Sequence, residues 1–271
     1  MKQVKVAILG GGNIGAALAK GLVASGKYTP GQITITRRNI QVLARIASEG
    51  FRVTDDNLDA VAKSDLIVLA VLPQQLNDLL KSVKPRIDAK RHVIVSVVSG
   101  VSSSAIIRLL GKKIEVIRAM PNTAIAIRDS MTCIAGNNAS KEHIALVKSM
   151  FDTVGMTVEI SEEMMTPATA LCACGIAFFL RAIRAASHGG IEIGFHADEA
   201  LRMAAQTAKG AASLLLIAES HPEREIDKVT SPKGCTITGL NEMEHQGFSS
   251  ALIKVIKTSA IKASELYSVD K

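Results

Sequence analysis

The sequence predicts an α/β chain. A mostly parallel sheet domain over residues 1–160 is followed by an all-α domain over 161–271. Three observations predict this class. Short β-branched runs alternate with helical stretches as far as residue 160, and none is found beyond it. The apolar fraction of 48% is almost wholly aliphatic, with aromatics at 3% and no Trp, which suits a parallel sheet and Ala-rich helices.

The elements follow in order. The run over 4–10 reads as a buried strand, and 13–25 as a helix that stops at Gly26. Residues 32–36 form a second strand, with a helical stretch over 40–48. Further strands are expected over 65–71, 92–97, 115–120 and 131–135. Strands separated by helices imply right-handed crossovers and a parallel sheet covered on both faces. In the second half, 168–187 is apolar nearly all the way round, 198–220 is Ala-rich and 249–268 carries an amphipathic stripe. A helix without a polar face has to be buried on all sides. About 110 residues can hardly provide that cover alone, so a partner subunit is implied.

Composition excludes other classes. The formal charge of +7 arises from 32 basic residues that are scattered, and the densest patches, 84–91 and Lys112-Lys113, carry no interleaved aromatics. A nucleic-acid footprint is therefore missing. The four cysteines show no Cys-x-x-Cys spacing, so no metal site is expected. Cys172 and Cys174 read as small buried hydrophobes, and free thiols suit a reducing cytoplasm. The apolar run over 4–9 is too short for a signal segment. The run over 168–180 falls short of the ~20 residues that span a bilayer. A soluble, cytoplasmic protein without membrane contact is expected.

Gly10-Gly11-Gly12-Asn13-Ile14-Gly15 joins the first strand to the first helix. The spacing of Gly10, Gly12 and Gly15 matches the dinucleotide fingerprint of a Rossmann-type domain. Gly10 permits the tight turn, Gly12 lets backbone approach the pyrophosphate, and Gly15 lets helix pack on strand. Asn13 and Ile14 open the helix, whose free N–H groups favour phosphate. The second strand runs into Thr36-Arg37-Arg38-Asn39, with no acid to bond a ribose 2′-hydroxyl. Arg37 and Arg38 instead suit a 2′-phosphate, so NADPH is preferred and NADH remains usable. The bland reading makes either Arg a solvated loop charge. The turn Ala70-Val71-Leu72-Pro73 ends a strand bordering the same crevice, as does Met120-Pro121-Asn122-Thr123, although each is also an ordinary strand exit.

One loop of the helical half stands apart: Thr230-Ser231-Pro232-Lys233-Gly234-Cys235-Thr236. It reads either as a helix start that holds a carboxylate on backbone N–H groups, helped by the Ser231 and Thr236 hydroxyls, or as a capped interhelical turn. The loop resembles the Ser-Pro-Gly-Gly-x-Thr signature of 1-pyrroline-5-carboxylate reductases. The likeness extends to Gly10–Asn13, to Ala70-Val71-x-Pro73-Gln74, to Arg118-x-Met120-Pro121-Asn122-Thr123 and to Glu244-x-x-Gly247-Phe248.

The resemblance implies reduction of the imine of a small cyclic imino acid to proline. It implies that Asn57 meets the adenosine ribose and that the turn Val71-Leu72-Pro73 flanks the nicotinamide. Ser231 with the backbone of Gly234, Cys235 and Thr236 would grip the substrate carboxylate. The Thr236 hydroxyl would bond the ring nitrogen, and Glu219 would line the pocket. It also implies a homo-oligomer built from an interlocked dimer. The chain departs from the family pattern at Leu72, where Lys is usual, at Lys233, where Gly is usual, at Ala124, where Pro is usual, and at Cys172-Ala173-Cys174-Gly175-Ile176, where Ser-Gly-Ser-Gly-Pro is usual.

Two rivals remain from residues alone. A β-hydroxyacid-type dehydrogenase would need a lysine early in the helical domain, yet none occurs between Lys148 and Lys209. A non-catalytic NADP-binding protein would keep the glycine loop without turnover.

Overall fold

The computed structural model describes residues 4–217 and 220–267. The chain forms two compact units, residues 1–174 with 259–271, and residues 175–258.

The first unit is built on one eight-stranded sheet: β1 Val6–Leu9, β2 Ile33–Thr36, β3 Arg52–Thr54, β4 Leu66–Leu69, β5 Val93–Ser96, β6 Glu115–Met120, β7 Ser130–Ala135 and β8 Gly155–Glu159. The strand order is β3-β2-β1-β4-β5-β6-β7-β8. All pairs are parallel except β6 with β7. The stretch joining β6 to β7, residues 121–129, is too short for the crossover that a parallel pair requires. Six strands are expected from the sequence, and β3 and β8 are additions. β3 is three half-buried residues, and β8 leaves Met156 and Val158 largely exposed, so neither carries a clear burial pattern. The chain order reverses between β1 and β4, which opens a ligand crevice beyond their carboxyl ends.

Helices of this unit are α1 Asn13–Ala24, α2 Ala44–Ser48, α3 Asn57–Ala62, α4 Pro73–Val83, α5 Ser103–Leu110, α6 Lys141–Phe151 and the single turn α7 Met165–Ala168. Alternate strand residues feed two apolar layers. Val6 and Ile8 join Leu18 and Leu22 of α1 and Phe151 of α6 on one face. Ala7 and Leu9 join Leu76 and Leu80 of α4 and Ile106 of α5 on the other. Burying each such Leu or Ile side chain contributes about 1.5–3 kcal/mol.

At the edge of this core His92 is 3% exposed, and its Nδ1 accepts from the Asp88 amide at 3.0 Å. Burial, reinforced by Arg91, holds its pKa below the ordinary 6.5. A depressed histidine stabilises the fold above its unfolded pKa, and that contribution is lost as pH falls below about 6.5. The melting temperature should therefore drop on acidification from pH 7 to pH 5. His92→Asn, which keeps the acceptor, should remove part of that drop, worth at most ~1.4 kcal/mol per pH unit. An unaltered pH profile in the variant would assign the acid loss elsewhere.

In the second unit α8 Gly175–Glu192 packs on α9 Ala197–Ile217, where a Cβ at Gly190 would come within 3.0 Å of the Ala200 Cβ. α10 Pro222–Val229, α11 Cys235–His245 and most of α12 Phe248–Ser264 follow. α8 buries only Gly175 and Ser187, while Phe179 and Leu180 are each 57% exposed. A six-residue π-helical turn, Thr169–Cys174, links α7 to α8. The helical run is thus longer than the apolar core over 168–180 suggests. Glu162–Glu192 forms one 31-residue helical run that contains a window long and apolar enough to cross a membrane by length and composition alone.

Candidate functional site

The loop after β1 is shaped by its glycines. Gly10 has φ +121°, and a Cβ there would lie 2.3 Å from the Ala70 carbonyl oxygen on β4's exit. A Cβ at Gly15 would lie 2.1 Å from the Gly10 oxygen, so only glycine lets α1 sit this close to the turn. Gly12 faces nothing within 4 Å. It is also the N-cap of α1 and supplies no side-chain cap, so first-turn N–H groups stay open. The Gly10 and Gly11 amides donate to the Thr36 oxygen at 3.2 and 2.7 Å, latching the loop to the end of β2.

Arg37 is half-buried. Its Nη1 donates to the Gly11 oxygen at 2.6 Å, and its amide to the Thr54 oxygen at 3.1 Å. Arg38 is exposed beside it, and the Asn39 side chain accepts from the Gln41 amide at 3.1 Å to start the next turn. A cavity of about 530 Å³ joins these parts, lined by Gly11, Gly12, Asn13, Lys20, Arg37, Leu43 and Thr123 among others. Asn57 opens α3, capped by Asp56, whose carboxylate accepts from the Leu58 and Asp59 amides at 2.9 and 3.0 Å. Asn57 and the 70–73 turn are not among the residues lining this cavity.

The other carboxyl-end loops are held from behind. The Ala70 amide donates to the Leu9 oxygen at 2.9 Å, and Val71 lies against Gly10. α4 starts at Pro73, with Leu72 as its N-cap and 64% exposed. Past β6, the Asn122 side chain accepts from the Ala124 amide at 3.0 Å and donates to the Cys172 oxygen at 3.4 Å. Arg118, 5% exposed, donates to Glu162 at 3.5 Å, and Glu162 also accepts from the Ser103 amide and hydroxyl at 2.6 and 2.5 Å. Burial lowers the Arg118 pKa and Glu162 opposes it, so this pair ties the entry of the helical run to α5 and β6.

In the second unit the 230–236 loop has a defined form. The Gly234 amide donates to the Ser231 oxygen at 2.9 Å, and a Cβ at Gly234 would strike the Ser231 Oγ at 2.4 Å. Lys233 takes φ +59°, the left-handed conformation that glycine adopts more easily. α11 begins at Cys235 with Gly234 as N-cap and no side-chain cap. Its open first-turn N–H groups and positive dipole end suit a carboxylate. Thr236 is half-buried, and no hydrogen bond joins its hydroxyl to another described residue. Glu219 lies outside the described residues.

Lys20, which no sequence motif marks, also lines the cavity. It lies two helical turns beyond Asn13, and its spacing on α1 was the available signal. Cys172 and Cys174 are half-buried instead of fully packed, because their helical run has few neighbours within the chain. Among the described residues no cluster of three or more His, Cys, Asp or Glu is placed to hold a metal.

Two family models match the chain. "Pyrroline-5-carboxylate reductase dimerisation" covers residues 162–266, and "NADP oxidoreductase coenzyme F420-dependent" covers residues 5–100. Pyrroline-5-carboxylate reductase 1 of Dictyostelium discoideum is 53% identical over 97% of the chain, which spans 50% of that relative's length. Pyrroline-5-carboxylate reductase 2 of the same organism is 48% identical over 96% of the chain and 92% of its own length. A solved pyrroline-5-carboxylate reductase from Coxiella burnetii has a TM-score of 0.90 at 28% identity, covering 98% of this chain and 100% of that one.

Proposed function

Because this chain belongs to the pyrroline-5-carboxylate reductase family, we propose that it reduces the C=N bond of 1-pyrroline-5-carboxylate to give proline. The chain-wide likeness, 48% identity across 92% of one relative, carries the reading. The glycine loop calls for a dinucleotide, but an imine substrate is supported by the family. Division by role follows: residues 1–160 bind the nucleotide, and 161–271 bind substrate and dimerise.

A nicotinamide dinucleotide fits the first unit, since Gly12 leaves open space and α1 begins without a side-chain cap. When bound, the cofactor supplies the hydride, and the protein supplies orientation and electrostatics. Gly10, Gly12, Asn13, Ile14 and Gly15 cradle the pyrophosphate, with Asn57 on the adenosine ribose. Ala70, Val71, Leu72 and Pro73 border the nicotinamide, and exposed Leu72 offers it an apolar edge instead of a charge. The amides of Gly234, Cys235 and Thr236 hold the substrate carboxylate together with Ser231, and Glu219 lines the pocket. The Thr236 hydroxyl donates to the ring nitrogen and so governs its protonation. Fixing the imine carbon in place contributes up to ~7–11 kcal/mol of the barrier reduction.

Arg37 and Arg38 make NADPH the preferred donor, with NADH also usable. Arg37 is bound to the Gly11 carbonyl, so its loss disturbs the loop for either cofactor. Arg38→Ala is the cleaner test: NADPH affinity should fall ~10-fold or more and NADH affinity hardly at all. Equal losses would remove the 2′-phosphate assignment.

The exposed apolar sides of α8, α9 and α12 support an interlocked dimer as the unit of the homo-oligomer. Activity is tested by following NADPH oxidation by the purified protein with pyrroline-5-carboxylate. NADPH affinity without turnover would leave a binding protein, and turnover only with hydroxyacids would leave a dehydrogenase.

A further inference from the structure

Cys133 on β7 and Cys172 in the π-helical turn Thr169–Cys174 belong to the same compact unit and place their sulfurs 3.8 Å apart. Both thiols are free, and Cys133 is 6% exposed whereas Cys172 is half-buried and open to a small oxidant. Cys133 is register partner of Met120, whose strand runs into the Asn122 loop, and the Cys172 carbonyl accepts from the Asn122 side chain at 3.4 Å. The pair therefore sits directly behind a loop of the nucleotide-binding unit.

We propose that Cys133 and Cys172 form an oxidisable dithiol, a modification site at which a peroxide converts the two thiols to an intramolecular disulfide. The two residues divide the chemistry. The hydrogen-bond contact between the two sulfurs lowers Cys172 to about 7 and raises Cys133 above the usual thiol range. Cys172 is thus the thiolate that attacks, and Cys133 keeps its proton until the second step.

The Cys172 thiolate attacks one peroxide oxygen and the O–O bond breaks, leaving sulfenic acid on Cys172 and a hydroxide that takes up a proton to become water. The Cys133 sulfur then attacks the Cys172 sulfur, the S–O bond breaks, and the Cys133 proton leaves with the departing hydroxide as a second water. Two electrons pass from the sulfur pair to the peroxide. Closing the contact to a ~2.05 Å bond asks only for a modest approach of Cys172. Cys174 lies two residues on, on a different side of the same helical turn, and burial raises its thiol, so it does not compete.

The test treats the purified full-length chain with dilute hydrogen peroxide, then denatures it under thiol-blocking conditions. Titratable thiols should fall from the four in the chain by one pair, intact mass should drop by two hydrogens, and one peptide link, present only without reductant, should join Cys133 to Cys172. Cys172→Ser should prevent the loss of mass, and Cys133→Ala should divert Cys172 to higher oxidation states instead of a disulfide. Cys174→Ser and Cys235→Ser should leave the link intact. A link from Cys172 to Cys174 or Cys235, a disulfide in the Cys172→Ser protein, or sulfinic acid on Cys172 with Cys133 still reduced in the parent would each overturn the proposal. None of these readouts depends on catalysis, so failure here leaves the reductase reading standing.

Discussion

Gly15→Ala is expected to weaken nucleotide binding ~10–100-fold and to lower the melting temperature. The added Cβ would meet the Gly10 carbonyl oxygen at 2.1 Å and the Ile8 side chain at 3.0 Å. The first of these is backbone and cannot rotate away. α1 has to lift from β1, at a cost typical of overpacking, about 1–3 kcal/mol, and its N–H groups lift with it. Gly12→Ala separates packing from binding. Its Cβ meets nothing within 4 Å and its φ of −83° suits any residue, so the fold should melt unchanged. The methyl would occupy only the space through which pyrophosphate approaches, and NADPH affinity should still fall. A Gly12→Ala protein that binds NADPH like the parent would mean that the phosphates do not cross Gly12.

Thr236→Ala should lower kcat ~10–100-fold with NADPH affinity unchanged, the magnitude of one hydrogen bond to a nitrogen that gains negative charge as hydride reaches the imine carbon. Structural damage is a weak rival here. The Thr236 hydroxyl caps nothing, and the nearby Thr238 already makes the local bond to the Gly234 oxygen at 3.1 Å. Thr236→Ser, which retains the hydroxyl, should restore most of the turnover. Equal loss in both variants would point to packing by the methyl, and full activity in Thr236→Ala would end the proposed role.

Much of the nucleotide-binding half is readable residue by residue. Gly10, Gly12 and Gly15 occupy turn, opening and packing contact because each role is local, set by φ or by atoms a few residues away. Long apolar runs such as β4 and β5 are likewise plain, since both faces of the sheet are covered and every residue is buried. β3 and β8 escape notice for the converse reason: half-buried or edge strands carry no continuous apolar signal. Lys20 is hidden within an ordinary helical pattern, and becomes a cavity residue only when α1 is laid over the sheet.

The alternation of strands and helices and the glycine turn after β1 were written in the sequence, because glycine placement and hydrophobic period act within a few residues. Tertiary structure alone decided that Glu162 meets Arg118 and Ser103, and that Cys133 and Cys172 stand 3.8 Å apart. Those pairs are tens of residues apart in the chain. No local propensity encodes such contacts, and only the shared packing of strands and helices closes the distance.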